Sequence, residues 1–430
     1  MDFDLSWLLL GLPAAFALGW LASRFDIRQW RREQRDSPKA YFKGLNFLLN
    51  EQQDKAIDAF IEAVQQDPDT SDLHFALGNL FRRRGDYERA VRVHEHLLSR
   101  ADLPASERQR AQHGLAQDYM KAGLFDRAEK AWLALADTPY KTEAQLALLT
   151  LHERSNDWRA AIQDAQILER SGAVTDAGSH AGARAGSNVG SYMGSYANRI
   201  AHYWCELAAE ADAKGATAAN SADAAEALRQ AQASAPLAAR PAVMAGQRAQ
   251  AAGQPQLALT EWRKLLAAHP GSFALVAVEF AKCALACDEI AGGKGSGGAG
   301  ADKQASQRAL TELNALYLQS PSLDLLAALA LLSPAPAAQY QRAAQHLALS
   351  GSLSAAGELL RLHSAEKDLH NDPESGQIVA AILAAIAAAA KPLQRYRCAA
   401  CGFEAQRYFW HCPGCLNWDT YPPQRTEDLG

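Results

Sequence analysis

Seven cysteines occur in the 430 residues, and four of them fall in the last forty, as Cys398-x-x-Cys401 and Cys412-x-x-Cys415. Ten residues separate the two pairs. Two such turns, each offering two thiolates, can wrap a single ion tetrahedrally. Seven cysteines are too few for a disulfide-stapled secreted scaffold, and their clustering points to metal in a reducing compartment. Gly402 and Gly414 suit tight turns whose backbone N–H groups point at sulfur. Tyr396, Phe403, Phe409, Trp410, Trp418 and Tyr421 are dense enough to shield the site. The predicted ligands of one metal ion are therefore Cys398, Cys401, Cys412 and Cys415. Four protein ligands leave no open coordination position, which argues against metal-assisted hydrolysis. Thiolates accept zinc or iron, so the ligand set alone does not choose.

The pattern C-x-x-C-G-F…C-P-G-C resembles a rubredoxin-type metal knuckle. The gap between its two halves is far shorter than in the electron-carrying rubredoxins. The resemblance tilts the choice of metal toward iron.

Other chemistry-bearing residues read as structural. Cys283 and Cys287 share a helical face at i, i+4 and, with Cys205, are expected to be small buried apolar residues. His94-Glu95-His96 lacks the H-E-x-x-H spacing and is expected on a repeat surface. Gly295-x-Gly297-x-x-Gly300 matches a dinucleotide fingerprint in letters only, because no β-branched strand precedes it. No nucleophile elbow, phosphate loop or acid–base pair stands out, so no catalytic residue is assigned and the expected role is not enzymatic. The net charge is −5, and residues 391–430 carry five basic and four acidic side chains. That balance is too weak for a nucleic-acid ribbon. With 48% hydrophobic and 21% charged residues, the chain is too apolar to be disordered.

A repeat supplies the elements that must carry the knuckle. Gly44, Ala56, Phe60, Ala63 and Pro68 recur 34 residues on as Gly78, Ala90, His94, Leu97 and Asp102. A third copy holds Ala116, Tyr119, Ala128, Trp132 and Leu135, and a fainter fourth holds Leu149, His152, Ala161, Ala165 and Leu168. Ala224, Leu228, Ala231 and Pro236 return as Ala258, Trp262, Leu265 and Pro270, with Gly246 twelve before Ala258. Small residues let paired helices approach, while Phe60, Trp132 and Trp262 fill the gap to the next pair. Turn signals fall at Gly85-Asp86, Gly123–Asp126 and Asn156-Asp157. The pattern resembles the tetratricopeptide repeat, whose units bury their apolar faces only by stacking. The expected fold is an all-α repeat solenoid, with six to nine units between about residues 38 and 375.

The array is expected over 38–390, interrupted by Gly/Ser/Ala-rich or small polar loops at 171–196, 212–223 and 291–306. The uncharged run 377–390 is short for a membrane span and is expected as a buried helix closing the solenoid or docking the C-terminal module. Residues 391–430 form the rubredoxin-like metal domain. At the other end, residues 5–23 contain no charge and as a helix would reach roughly 28 Å, close to the ~30 Å hydrocarbon core. Asp2 and Asp4 precede this stretch, and Arg24, Arg28, Arg31, Arg32, Arg35 and Lys39 follow it. By the positive-inside rule, residues 1–23 are expected to be a single-pass anchor with its N-terminus outside. The rival, a cleaved signal peptide, lacks its basic n-region, and the Arg run lies on the wrong side for it. Residues 24–37 are expected as a basic juxtamembrane linker, with the rest of the chain on the cytoplasmic side.

The order of parts is rarer than any one part: an anchor, an Arg-rich exit, a tetratricopeptide array, and a four-cysteine knuckle ending in Trp418-x-x-Tyr421-Pro422-Pro423. This layout resembles the lipopolysaccharide assembly protein B (LapB/YciM) family of Gram-negative bacteria. The resemblance implies an inner-membrane adaptor that limits lipopolysaccharide synthesis by helping the membrane protease FtsH degrade the deacetylase LpxC. It also implies an opposing membrane regulator of the PbgA/YejM type, and a metal knuckle at Cys398, Cys401, Cys412 and Cys415 that packs on the repeats. The alternatives of a different kind are a membrane-tethered rubredoxin-like electron carrier and a generic chaperone or secretion scaffold.

Overall fold

The computed structural model describes residues 15–20, 42–66, 69–172, 196–215, 217–292, 304–366 and 373–429. Two compact units divide the chain, Met1–Asp157 and Trp158–Gly430.

The first unit holds α1 (residues 42–49), α2 (Gln53–Gln66), α3 (Ser71–Arg84), α4 (Tyr87–Ser99), α5 (Ala105–Ala122), α6 (Phe125–Leu133) and α7 (Lys141–Ser155). From α2 onward each helix packs against the next in sequence. Helix ends are set by residues that tolerate the left-handed region. Gly85 (φ 85°), Gly123 (φ 74°) and Asn156 (φ 58°) follow α3, α5 and α7. At the first of these, Gly85 N–H donates to Arg82 O and Asp86 N–H to Phe81 O, which satisfies carbonyls the helix leaves open. All three turns coincide with the sequence signals.

The repeat glycines are places of close approach. A Cβ on Gly44 would meet the Phe60 ring at 2.9 Å. A Cβ on Gly78 or on Gly114 would meet the His94 ring at 2.6 or 2.7 Å. His94 therefore does for its repeat what Phe60 does for the one before. It is 1% exposed, which corrects the surface expectation at His94 alone; Glu95 and His96 are exposed, as expected. The ring is tolerated inside because Asp118 faces its Nδ1 at 2.5 Å, and Arg82 holds the other Asp118 oxygen at 2.7 Å.

The second unit runs through α8 (Trp158–Arg170), α9 (Ala197–Ala213), α10 (Ala218–Ser234), α11 (Ala239–Ala251) and α12 (Pro255–Ala268). A 3-10 turn, Pro270–Val276, leads to α13 (Ala277–Gly292), α14 (Gln304–Gln319), α15 (Leu323–Leu332), α16 (Pro336–Ser350), α17 (Leu353–Glu366) and α18 (Pro373–Ala390). Its largest core joins Trp262, Phe273, Phe280, Leu313, Leu316 and Leu329. Gly246 faces Trp262, whose indole N–H donates to Val243 O at 3.3 Å. Both units are tetratricopeptide-like arrays of helices packed on their sequence neighbours.

Two further expectations change. Residues 212–223, expected as a loop, are largely the end of α9 and the start of α10, with the connection narrowed to 214–217. Alanine there sustains helix, and the Thr217 side chain caps α10 by accepting from Asn220 N–H at 3.2 Å. Only one face of α18 is covered: Val379 and Ala390 are buried against the array, while Ile378 is 57% and Ile382 45% exposed. Among the described residues its chief neighbour is α17, which covers one side of a helix and not two. For the anchor at 5–23, only residues 15–20 are described, and they are helical. The juxtamembrane linker 24–37 and most of the loops at 171–196 and 291–306, with Gly295–Gly300, lie outside the described residues. Among the described residues no helix is long and apolar enough to cross a membrane.

Candidate metal centre

The C-terminal module begins with a short antiparallel pair, β1 (Tyr396–Arg397) and β2 (Glu404–Ala405), in the register Tyr396↔Ala405 and Arg397↔Glu404. This pair closes the first cysteine turn. Cys398 N–H donates to Phe403 O, and Gly402 N–H donates back to Cys398 O, both at 2.9 Å. The second turn repeats the pattern: Cys412 N–H to Asn417 O, and Leu416 N–H to Cys412 O, again both at 2.9 Å. In each turn the residue after the second cysteine is left-handed, Gly402 at φ 77° and Leu416 at φ 58°. Glycine takes that conformation freely, whereas leucine is strained there.

These turns bring together all four predicted ligands. Their sulfurs lie within 4.8 Å of one another. Cys401 Sγ is 3.7 Å from Cys412 Sγ, and Cys398 Sγ is 3.9 Å from Cys415 Sγ. A regular tetrahedron with metal–sulfur bonds of ~2.3 Å has edges of roughly 3.8 Å, so the spacing fits one ion. Cys398 and Cys412 are buried, Cys415 is half-buried and Cys401 is exposed.

The surroundings favour ionised sulfur at one ligand and oppose it at another. Burial alone would raise the Cys398 thiol, but the Thr420 hydroxyl and the backbone N–H groups of Ala400 and Cys401 outweigh it and bring the thiol down to about 7. Burial dominates at Cys415 and pushes it up to about 12. A cation among the four sulfurs would ionise them together, which is how such sites load. The remaining cysteines stand apart. Burial raises Cys205 to about 12 and Cys283 to about 11, so both stay as unreactive thiols at neutral pH.

Three contacts seat the knuckle on the helices of its own unit. Trp418 stacks on His202 of α9 at 4.8 Å and meets Tyr203 and Trp158 edge-on at 5.8 and 6.1 Å. His202 Nε2 donates to Asp419 Oδ2 at 2.7 Å. The chain end forms the third contact: Arg425 pairs with Asp324, and Glu427 and Asp428 reach the starts of α17 and α15. Neither His202 nor the acidic end carries a sequence signal. Both become legible only when residues more than seventy positions apart are brought together.

Residues 396–423 match the family model described as "Rubredoxin metal binding domain". The whole chain is 30% identical over 424 residues to "Lipopolysaccharide assembly protein B" of Escherichia coli strain K12, covering 98% of both proteins. The chain belongs to the lipopolysaccharide assembly protein B family. The family member from Haemophilus influenzae is 34% identical over 176 residues, which are 38% of this chain and 44% of that one. Among solved structures, a tetratricopeptide repeat protein from Parabacteroides merdae is 15% identical and aligns over 69% of this chain and 99% of its own, with a TM-score of 0.30. That score is too low to argue from, and the repeat assignment rests on the helix pairs and glycine contacts of the chain itself. In this member of the lipopolysaccharide assembly protein B family, the four cysteines are gathered at one point and the knuckle lies against the helices that precede it.

Proposed function

We propose that this chain is a non-catalytic, membrane-anchored adaptor of lipopolysaccharide assembly. In this reading it presents the deacetylase LpxC to an FtsH-type membrane protease, and a PbgA/YejM-type membrane regulator opposes it. The observation that carries the reading is alignment over 98% of both chains with the Escherichia coli protein, knuckle and array together. The physical logic is concentration. A single-pass anchor at residues 1–23, in the inner membrane with the N-terminus periplasmic, would hold the array at the cytoplasmic surface. Tethering of this kind raises the effective concentration of one partner near another without any new contact. The array would supply an extended surface for protein partners, and the metal would order the C-terminal end of that surface.

The experiment is crosslinking and affinity capture of the full-length protein from its own membranes, with LpxC abundance followed after depletion. Capture of the protease together with a rise in LpxC is the expected result. Unchanged LpxC overturns the reading.

A second reading, a membrane-tethered one-iron electron carrier, draws on one observation. Cys401 is exposed, and Phe403 beside it is 42% exposed. An exposed metal edge suits electron transfer. A colourless purified protein containing zinc would exclude it.

A further inference from the structure

We propose that helix α9 sets how tightly the knuckle holds its metal, acting through His202 and the segment Trp418–Tyr421. The four residues of that segment divide their contacts. Trp418 and Asp419 engage α9: the Trp418 ring stacks on His202, and Asp419 Oδ2 accepts from His202 Nε2. Thr420 and Tyr421 engage the sulfurs. With Cys398 ionised, the Thr420 hydroxyl donates to its Sγ at 3.2 Å. Tyr421 Oη stands 3.9 Å from Cys412 Sγ and donates to Phe403 O at 3.2 Å.

The backbone makes this division possible. Asp419 is left-handed, at φ 54°. Its N–H donates to Trp410 O, and Thr420 O accepts from Ala399 N–H at 2.8 Å. The segment is therefore pinned between the two cysteine turns while its first two side chains reach the array. The seat on the array is itself fixed. Arg240 of α11 donates to His202 O at 3.4 Å and to Glu206 Oε1 at 2.7 Å, and its guanidinium lies 5.8 Å from the Trp418 ring centre. His202 is 2% exposed. No part of this seat is a ligand, and His202 precedes the first ligand by almost two hundred residues.

Partners that orient ligands commonly tune metal affinity by ten- to a hundredfold. Here the orienting partner of the buried ligand Cys398 is Thr420, and its placement depends on its neighbour's grip on His202. Thr420 and His202 are thus positioning residues for the metal. The coupling must also run the other way, because a site that binds metal more tightly when docked docks more tightly when loaded. Metal loss should loosen the knuckle from α9.

The test uses the full chain loaded with zinc and measures transfer of the ion to an excess of a chromophoric chelator. His202→Leu is expected to release zinc about tenfold faster, while His202→Gln, which keeps an N–H donor, stays near the parent rate. Thr420→Val should also speed release, and Thr420→Ser should restore it. Thr420→Val is close in shape and carries the test if His202→Leu does not fold. Leu313→Ala, in the core of α14 and outside the packing of α9, serves as the control for general loss of stability and should release zinc at the parent rate. The proposal is overturned if His202→Leu and Thr420→Val release zinc at the parent rate, if Leu313→Ala is as fast as they are, or if Gln and Ser fail to rescue. Hydrogen exchange gives an independent reading: stripping zinc should deprotect amides around residues 198–206, and an unchanged pattern there counts against the coupling.

Discussion

Arg425 grips Asp324 from 101 residues away, with Nε 3.0 Å from Oδ2 and the guanidinium NH2 2.8 Å from Oδ1. This two-point pairing fixes direction as well as distance. Next along the chain, Glu427 accepts from Ser354 N–H and from the hydroxyls of Ser352 and Ser354, all within 2.8 Å. Asp428 Oδ1 accepts from Leu323 N–H at 3.0 Å. The last residues thus cap two array helices, α17 and α15, whose first N–H groups would otherwise lack partners.

That cap has a pH signature. Burial raises the Asp428 carboxyl to about 6, against the pull of the Leu323 amide. Its unfolded value is ~3.9, so this group's stability contribution is full below that value and is lost as pH rises through about 6. His346, whose Nε2 lies 3.9 Å from Asp428, is shifted down by burial and works in the opposite sense. Its contribution is present above ~6.5 and is lost as pH falls. Asp428→Asn removes only the first effect. The stability of the parent relative to that variant should rise by on the order of 1 kcal/mol between pH 7 and pH 4, after allowance for solvent screening. Thermal melts at stepped pH measure it, and a flat difference would sink the assignment.

Asp118 is the hinge of the first unit's polar core. It is 0% exposed and holds Arg82 and His94 together. Asp118→Ala leaves a guanidinium and a buried imidazole without their shared anion, at a cost of about 3–5 kcal/mol. Hydrogen exchange should show this as faster exchange across α3 to α5.

Gly246 admits no side chain. A Cβ there would sit 2.1 Å from the Trp262 indole nitrogen, and Trp262 is 0% exposed with no free direction to move. Gly246→Ala should cost about 3 kcal/mol, the upper end for overpacking, while Gly271→Ala, where nothing lies within 4 Å, should cost little. Melting temperatures of the two variants decide the matter.

Removing the metal should unsettle the knuckle and leave the overall helix content unchanged. Chelation should change the near-ultraviolet signal of Trp410 and Trp418 but leave the far-ultraviolet helix signal, because the cysteine turns contain no helix. Cys412→Ser, at a buried ligand, should abolish binding of one ion per chain, as read by metal analysis of the purified protein. Retention of a full equivalent would contradict the four-thiolate site.

Much of this protein was legible from its residues alone. Two C-x-x-C turns determine their own local geometry, because each is closed by hydrogen bonds among residues at most five apart. The repeat was legible for a related reason. Gly44 and Phe60, or Gly246 and Trp262, are close in sequence, and spacing encodes which small residue meets which large one. Turn glycines likewise announce themselves through a conformation other residues avoid. What spacing could not decide was any contact made across the array. His94 read as surface because the partner that makes its burial tolerable, Asp118, belongs to another helix. Residues 212–223 read as a loop because composition does not register the contacts that hold α9 and α10 together. His202 meets Asp419, and Ser354 meets Glu427, only because stacking brings distant segments to one place. The desolvation cost of each of those polar groups is offset by a partner that tertiary structure alone supplies.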